Sequence, residues 1–360
     1  MLSFYSFCFQ LGEHVYSRES SANPSRLEAI LAALLKAPVV TYASGLAAIH
    51  AALILLKPRR VSIENGYHGT HGVIAIHQRL TGCQKLPLDC EVNELAAGDV
   101  VWLETPVNPS GCARNIAYYA QRARARGAYL IVDSTFAPPP LQDPFRQGAD
   151  MVMHSGTKYL GGHSDLLSGV LATKNKAWVS QLAKDRTFLG NMMGNLEAWL
   201  VIRSLRTLEM RVRRQSQNAT DLVSCIYGTL KGDCDSTDQR PLRLSQTDVE
   251  VVYAAVADVM HASVQGNMKP STFDWLQEQM PEGYGAVFAV KMRSEHLAKH
   301  LPSKLRLFTH ATSLGGVESL VEWRTMSDAT CEETLLRFSI GIENVQDLLN
   351  DLLQGLKQVV

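Results

Sequence analysis

The sequence predicts an α/β protein, with a large domain on a mostly parallel sheet followed by a smaller C-terminal α+β domain. Three observations predict it. From Val39 to Val170 short apolar runs alternate with helix-like stretches, the pattern of βαβ units. Four of those runs end in polar or glycine-containing sequences, where open α/β sheets gather their ligands. The chain has 360 residues, 46% apolar and 19% charged, an ordinary globular composition at a length that usually divides in two.

Residues 1–25 read as an N-terminal arm. Met1–Gln10 is apolar but short, lacks a basic flank and gives way to Glu13 and Arg18, so it is not expected to be a signal peptide. No run is long enough to span a membrane. The large domain is expected over 26–215. Val39–Tyr42, Arg60–Ile63, Val100–Leu103, Tyr129–Val132 and Met151–Met153 read as its buried strands. Between Phe188 and Ile226, Leu196, Trp199, Leu200, Leu205, Leu208 and Val212 recur at roughly three- and four-residue spacing, which predicts one long helix connecting to a second domain. The C-terminal domain is expected over 216–360. It begins with a polar surface loop at Lys231–Arg243 and ends in an amphipathic helix at Val345–Leu356. No internal repeat or low-complexity segment is visible.

Composition excludes several function classes. There are 35 basic and 35 acidic side chains, so no global field attracts nucleic acid or an anionic membrane. Small molecules and other protein chains are the expected partners. Seven cysteines, Cys8, Cys83, Cys90, Cys112, Cys225, Cys234 and Cys331, are scattered without C-x-x-C or ligand spacing, which fits reduced thiols in the cytoplasm. The histidines form no H-E-x-x-H or similar cluster, and no metal is expected.

Candidate chemistry sits at the strand ends. Lys158 lies in His154-Ser155-Gly156-Thr157-Lys158-Tyr159, just after an apolar strand. A lysine held there in a partly dry pocket has its pKa lowered, which suits aldehyde capture and proton transfer. Taken alone, a lysine in a Ser/Thr/Gly-rich turn is more often a solvated loop residue. Asp133 ends the run Tyr129–Val132, where a buried carboxylate can hold a pyridine nitrogen protonated, although Asp is also a common helix cap. At Ala43-Ser44-Gly45-Leu46 a strand turns into an Ala-rich helix, whose free amides and positive dipole end favour a phosphate. Tyr67 follows another strand and can stack on a flat cofactor, or simply fill space.

These residues together resemble the Cys/Met-metabolism group of pyridoxal-phosphate enzymes, the cystathionine γ-synthases, γ-lyases and β-lyases, and come closest to a fungal β-lyase-like branch. The resemblance runs from about His14 to the C-terminus. It is most specific over Val132-Asp133-Ser134-Thr135-Phe136 and Gly148–Tyr159. It implies the fold-type-I architecture and pyridoxal 5′-phosphate as cofactor. It also implies Lys158 as the lysine that carries the cofactor and Asp133 as partner of the pyridine nitrogen. Ser44, Gly45, Leu46, Ser155 and Thr157 would hold the phosphate, and Tyr67 would stack on the ring. Asn108, in Glu104-Thr105-Pro106-Val107-Asn108-Pro109, would lie near the phenolic oxygen. Ser313 and Arg337, in Ser313–Ser319 and Leu336–Gly341, would meet the substrate carboxylate, the arginine gripping it bidentately. Tyr16-Ser17-Arg18 matches a Tyr-x-Arg element that reaches the neighbouring subunit's phosphate, so a homo-oligomer is expected, a dimer as functional unit and a tetramer by analogy.

The chain departs from the pattern in three places. Met1–Glu13 is shorter than the arm of such relatives and does not resemble it. Gly72 stands five residues after Tyr67, where γ-type enzymes carry an arginine, and Thr312 stands where they carry a glutamate. An amino acid with a charged far end needs partners there, so a site specialised for cystathionine through those contacts is disfavoured, unless His68 or His71 replaces one. The expected reaction is C–S cleavage by β- or γ-elimination from a sulfur-containing amino acid. Two alternatives remain: γ-replacement on an O-acyl-homoserine, and a non-catalytic subunit that keeps the fold. Retention of Lys158, Asp133, Tyr67 and Arg337 together speaks against the second.

Overall fold

The structure is a computed structural model that describes residues 14–232, 242–266 and 274–360. The first layer of the fold is a seven-stranded sheet in the order β1-β7-β6-β5-β4-β2-β3. Its strands are β1 (Val39–Tyr42), β2 (Arg60–Ile63), β3 (Gln84–Pro87), β4 (Val100–Glu104), β5 (Tyr129–Asp133), β6 (Met151–Ser155) and β7 (Gly169–Thr173). Only β7 runs against its neighbours, so the carboxyl ends of the other six lie along one edge.

All five expected strands are present, and β4, β5 and β6 each extend to include a polar terminal residue, Glu104, Asp133 and Ser155. Two strands were not anticipated. β3, Gln-Lys-Leu-Pro, lies at the sheet edge with mostly exposed side chains; an edge strand tolerates charge and proline and so lacks an apolar signature. β7 is fully buried, between β1 and β6.

Side chains alternate across the sheet with the period of two that a strand imposes. Val100 and Trp102 of β4 pack with Val61, Ile131 and Ile49 on one face. Val101 and Leu103 pack with Leu130, Val132 and Ile116 on the other. The helices α1 (Ala22–Leu35), α2 (Gly45–Leu56), α3 (His68–Thr81), α4 (Ile116–Arg124) and α5 (Lys176–Leu189) flank the sheet.

The single helix expected between Phe188 and Ile226 is two helices, α6 (Asn195–Leu205) and α7 (Leu208–Leu230). The break has a local cause. The Ser204 carbonyl, which an unbroken helix would give to the Leu208 amide, accepts instead from Thr207 N, Thr207 Oγ1 and the buried Arg211 Nη2. Of the residues at helical spacing, Leu208 and Val212 are buried while Leu196 and Trp199 are exposed, and Ala198 and Val201 face the core in α6. The expected domain boundary at 215/216 falls inside α7.

The second layer is a five-stranded sheet, β10-β11-β12-β9-β8, made of β8 (Val256–Met260), β9 (Val287–Met292), β10 (Thr309–His310), β11 (Leu320–Trp323) and β12 (Leu335–Ser339). It is antiparallel except for β10–β11. Helix α8 (Gln246–Ala255) leads into it, and α9 (Asp274–Gln279) and α10 (Glu295–His300) flank it. The chain ends in α11 (Val345–Leu356), capped by the Asn344 side chain on Gln346 N. Leu348, Leu349, Leu352, Leu353 and Leu356 form its buried stripe, the amphipathic helix the sequence predicts. The polar loop expected at Lys231–Arg243 lies largely outside the described residues, as do Cys8 and Cys234. Among the described residues no helix is long and apolar enough to cross a membrane, and no His/Cys/Asp/Glu group is placed to hold a metal.

Candidate active site

A cavity of about 380 Å³ opens at the carboxyl edge of the large sheet, a volume in the range of small-molecule sites. Five of the six parallel strands deliver one polar group each to it as they end: Ser44 after β1, Tyr67 after β2, Glu104 on β4, Asp133 on β5 and Ser155 on β6. Arg337 of β12 and the segment around Thr312 and Leu314 close the far side. The chain therefore builds one site from both sheets.

Lys158 stands in the turn after β6, half-buried, its Nζ 3.4 Å from Ser313 Oγ. Burial and, next, the Arg337 guanidinium push the amine down to about 8, with Glu322 opposing both. A substantial neutral fraction near neutral pH suits a nucleophile or proton acceptor. Asp133 is buried and accepts from Thr135 N at 3.0 Å and from Thr135 Oγ1 at 2.5 Å. Burial raises its carboxyl above the usual range, and the Thr135 bonds counteract this. It has no cationic partner among the described residues. A buried acceptor that faces a cavity without a counterion fits a protonated ring nitrogen.

At the opposite end, the Ser44 side chain accepts from Ala47 N at 3.1 Å as the cap of α2. The first-turn amides of Gly45 and Leu46, which have no intrahelical acceptor, line the cavity with Ser155 and Thr157. The set fits a phosphate. The Tyr67 ring lines the cavity as well, and Gly69 allows its placement: a Cβ there would lie 2.5 Å from ring carbon Cε1.

Arg337 is buried. Nη1 donates to Asn108 Oδ1 at 3.1 Å, and Nη2 donates to the Thr312 and Ser313 carbonyls. Thus Ser44, Gly45, Leu46, Tyr67, Asn108, Asp133, Ser155, Thr157, Lys158 and Arg337 all line one cavity, and Ser313 touches Lys158. Tyr16 and Arg18 do not join them. Both are exposed, and the Arg18 guanidinium stacks 4.2 Å over the Tyr16 ring. His68 is exposed, its ring 5.0 Å from that of Tyr67, and neither it nor His71 lines the cavity. Gly72 has open space where a side chain would stand.

Sequence reasoning missed Glu104 and Glu322. Glu104 Oε2 accepts from Tyr67 N at 2.9 Å and Oε1 from Asn108 N at 2.6 Å, tying two cavity loops to β4 beside its register partner Asp133. Burial and Asp133 hold its carboxyl above the usual range. Its signal was an acid closing the apolar run Val100–Leu103, the same signal that singled out Asp133.

A family model described as Cys/Met metabolism PLP-dependent enzyme matches residues 5–229 and 253–357. The cystathionine gamma-synthase of Mycobacterium tuberculosis is 31% identical over 364 residues, covering 96% of this chain and 87% of that protein. The cystathionine beta-lyase of Bacillus subtilis is 31% identical over 370 residues, covering 97% and 88%. The crystal structure of a methionine gamma lyase from Micromonospora echinospora superposes with a TM-score of 0.80 at 32% identity, covering 95% of this chain and 88% of that one.

Proposed function

The chain belongs to the Cys/Met metabolism PLP-dependent enzyme family, and on that premise we propose that it cleaves C–S bonds by β- or γ-elimination from a sulfur-containing amino acid. Its chemistry is of the trans-sulfuration type, dependent on pyridoxal phosphate. The observation that carries the reading is the meeting of Lys158, Asp133 and Arg337 in one cavity. When bound, pyridoxal phosphate supplies an aldehyde for amines and a ring that takes up the electron pair left at Cα.

The protein's part is to hold and to move protons. Ser44, the Gly45 and Leu46 amides, Ser155 and Thr157 would grip the phosphate, and Tyr67 would cover the ring face. Asp133 would keep the ring nitrogen protonated. Arg337, with Ser313 and Asn108 beside it, would take the α-carboxylate and so fix which Cα bond faces Lys158. Lys158 Nζ, with its depressed pKa, would accept the α-proton and return one to the product.

Tyr16 and Arg18 lie outside this chain's own cavity, which supports their reaching a neighbouring subunit's phosphate in a homodimer or tetramer. The thiols of Cys83, Cys90, Cys112 and Cys331 are free, in keeping with a cytoplasmic enzyme.

The test is a substrate screen. Purified protein is given cystathionine, cysteine and O-acetylhomoserine separately, and oxoacid and thiol release are followed. Oxoacid with thiol from cystathionine or cysteine, lost in Lys158→Ala, is expected. Oxoacid from O-acetylhomoserine only when a nucleophile is withheld would move the assignment to γ-replacement. A Lys158→Ala protein as active as the parent would sink the site.

A further inference from the structure

Behind the cavity lies a buried row of alternating charges that the reaction itself does not call for. Glu322 on β11 and Arg337 on β12 are cross-strand register partners, and Glu322 Oε2 stands 2.5 Å from Arg337 Nη2. The same oxygen is 3.0 Å from Arg324 Nη1, and Arg324 Nη2 is 3.8 Å from Asp328. The Ser327 hydroxyl donates to the other Glu322 oxygen. Glu322, Arg324 and Arg337 are 1%, 3% and 3% exposed. Of the four charges only Arg337 lines the cavity.

Arg337 and Glu322 by themselves would be a closed, neutral pair. A neutral pair offers an incoming carboxylate little net attraction, and the anion would have to compete with Glu322 for the same guanidinium. Arg324 changes that count. It occupies the same Glu322 oxygen from the far side, so one carboxylate is shared between two guanidiniums; Asp328 balances the row only at its outer end, 3.8 Å from Arg324 Nη2 and more exposed, and the cavity end keeps a net positive charge. Burying a second arginine is costly, and its Nε has no hydrogen-bond partner among the described residues. Burial holds Arg337 down to about 10, with Glu322 opposing and Arg324 adding to the depression.

We propose that Arg324 is a positioning residue for substrate recognition, holding Glu322 so that Arg337 presents net positive charge to an α-carboxylate. The inference rests on the proposed role of Arg337 as the carboxylate grip. It deepens that reading by assigning affinity to a residue that never touches substrate.

The experiment measures binding of 4-(methylthio)butanoate, which carries the carboxylate but no amine, to the holoenzyme by calorimetry. KM, kcat and melting temperature are read alongside. Arg324→Met is expected to weaken binding and raise KM about tenfold or more, with kcat within about threefold, since a ground-state contact is lost. Arg324→Lys, which keeps the charge, is expected to stay within about threefold of the parent.

The double variant Glu322→Gln with Arg324→Met distinguishes charge from architecture. It removes the neutralising carboxylate together with its counterion and is expected to regain parental affinity. A merely structural Arg324 predicts a double variant at least as weak as the single, which overturns the proposal, as does a single variant with parental affinity. Should the single variant not fold, the double decides alone: parental affinity supports the proposal and a tenfold loss overturns it. Arg337→Met separates the two levels. If it binds the probe as well as the parent, the carboxylate reading itself falls; if it loses affinity while Arg324→Met does not, only the present inference falls.

Discussion

At Lys158 a dry wall and a neighbouring guanidinium act in the same direction, both disfavouring the ammonium. In the cofactor-free protein, acylation of this amine is therefore expected to show a midpoint near the value of about 8, followed by mass spectrometry across pH. Removing the cation should reverse part of the effect, so Arg337→Met is expected to move the midpoint upward. A midpoint at or above 10 in the parent would contradict the electrostatic account. Asp133 was legible in the sequence because it closes an apolar strand with a chemically apt group, and Lys158 because it follows one within the motif that carries the family resemblance. Glu322 was not, because its meaning lies in a cross-strand partner 15 residues away, and register between strands cannot be read from local pattern.

At the scale of elements, β4 does more than carry a core stripe. Its last residue, Glu104, accepts one amide from each of two cavity loops. Replacing it with Gln substitutes an NH2 group for one acceptor and leaves an amide unpaired, a cost of about 1–3 kcal/mol. The change also has a pH signature. The Glu104 carboxyl is raised in the folded chain above its ordinary 4.5, so between those values the native state binds the proton more tightly than the unfolded one. Its contribution to stability is complete below about pH 4.5 and is lost as pH climbs through the folded value. Urea titrations of cofactor-free parent and Glu104→Gln are expected to show a shallower fall in stability with pH in the variant. In α11, Leu352 is 4% exposed, and Leu352→Ala is expected to cost about 2–5 kcal/mol in the same titrations.

Element identity was largely legible where pattern and burial agree, as in the five expected strands and α11. It failed at the α6–α7 junction. There Thr207 and Arg211 take up the Ser204 carbonyl, a side-chain contact that apolar periodicity does not encode, and Leu196 and Trp199 stand exposed although they share the helical spacing of buried Leu208 and Val212.

At the scale of the whole molecule those outward side chains become informative. Leu167, Phe188, Leu196 and Trp199 are 61%, 79%, 64% and 50% exposed, and Leu167 also lines the cavity. Apolar surface of this kind is costly to leave in water, and it fits the proposed homo-oligomer, in which a neighbouring subunit's Tyr16 and Arg18 would reach the phosphate. Such sharing makes a quantitative prediction. Arg18→Ala would damage the site of the neighbour, and Lys158→Ala the site of its own chain. In a mixed dimer one site then carries both lesions and the other carries neither. Each variant alone is expected to be nearly inactive. Unfolding and refolding them together at equal amounts should yield half mixed dimers with one intact site in two, about a quarter of parental activity under random pairing in a closed two-fold assembly. If both lesions fell within the same chain's site, no mixture could assemble an intact one, and activity would stay at the level of the separate variants.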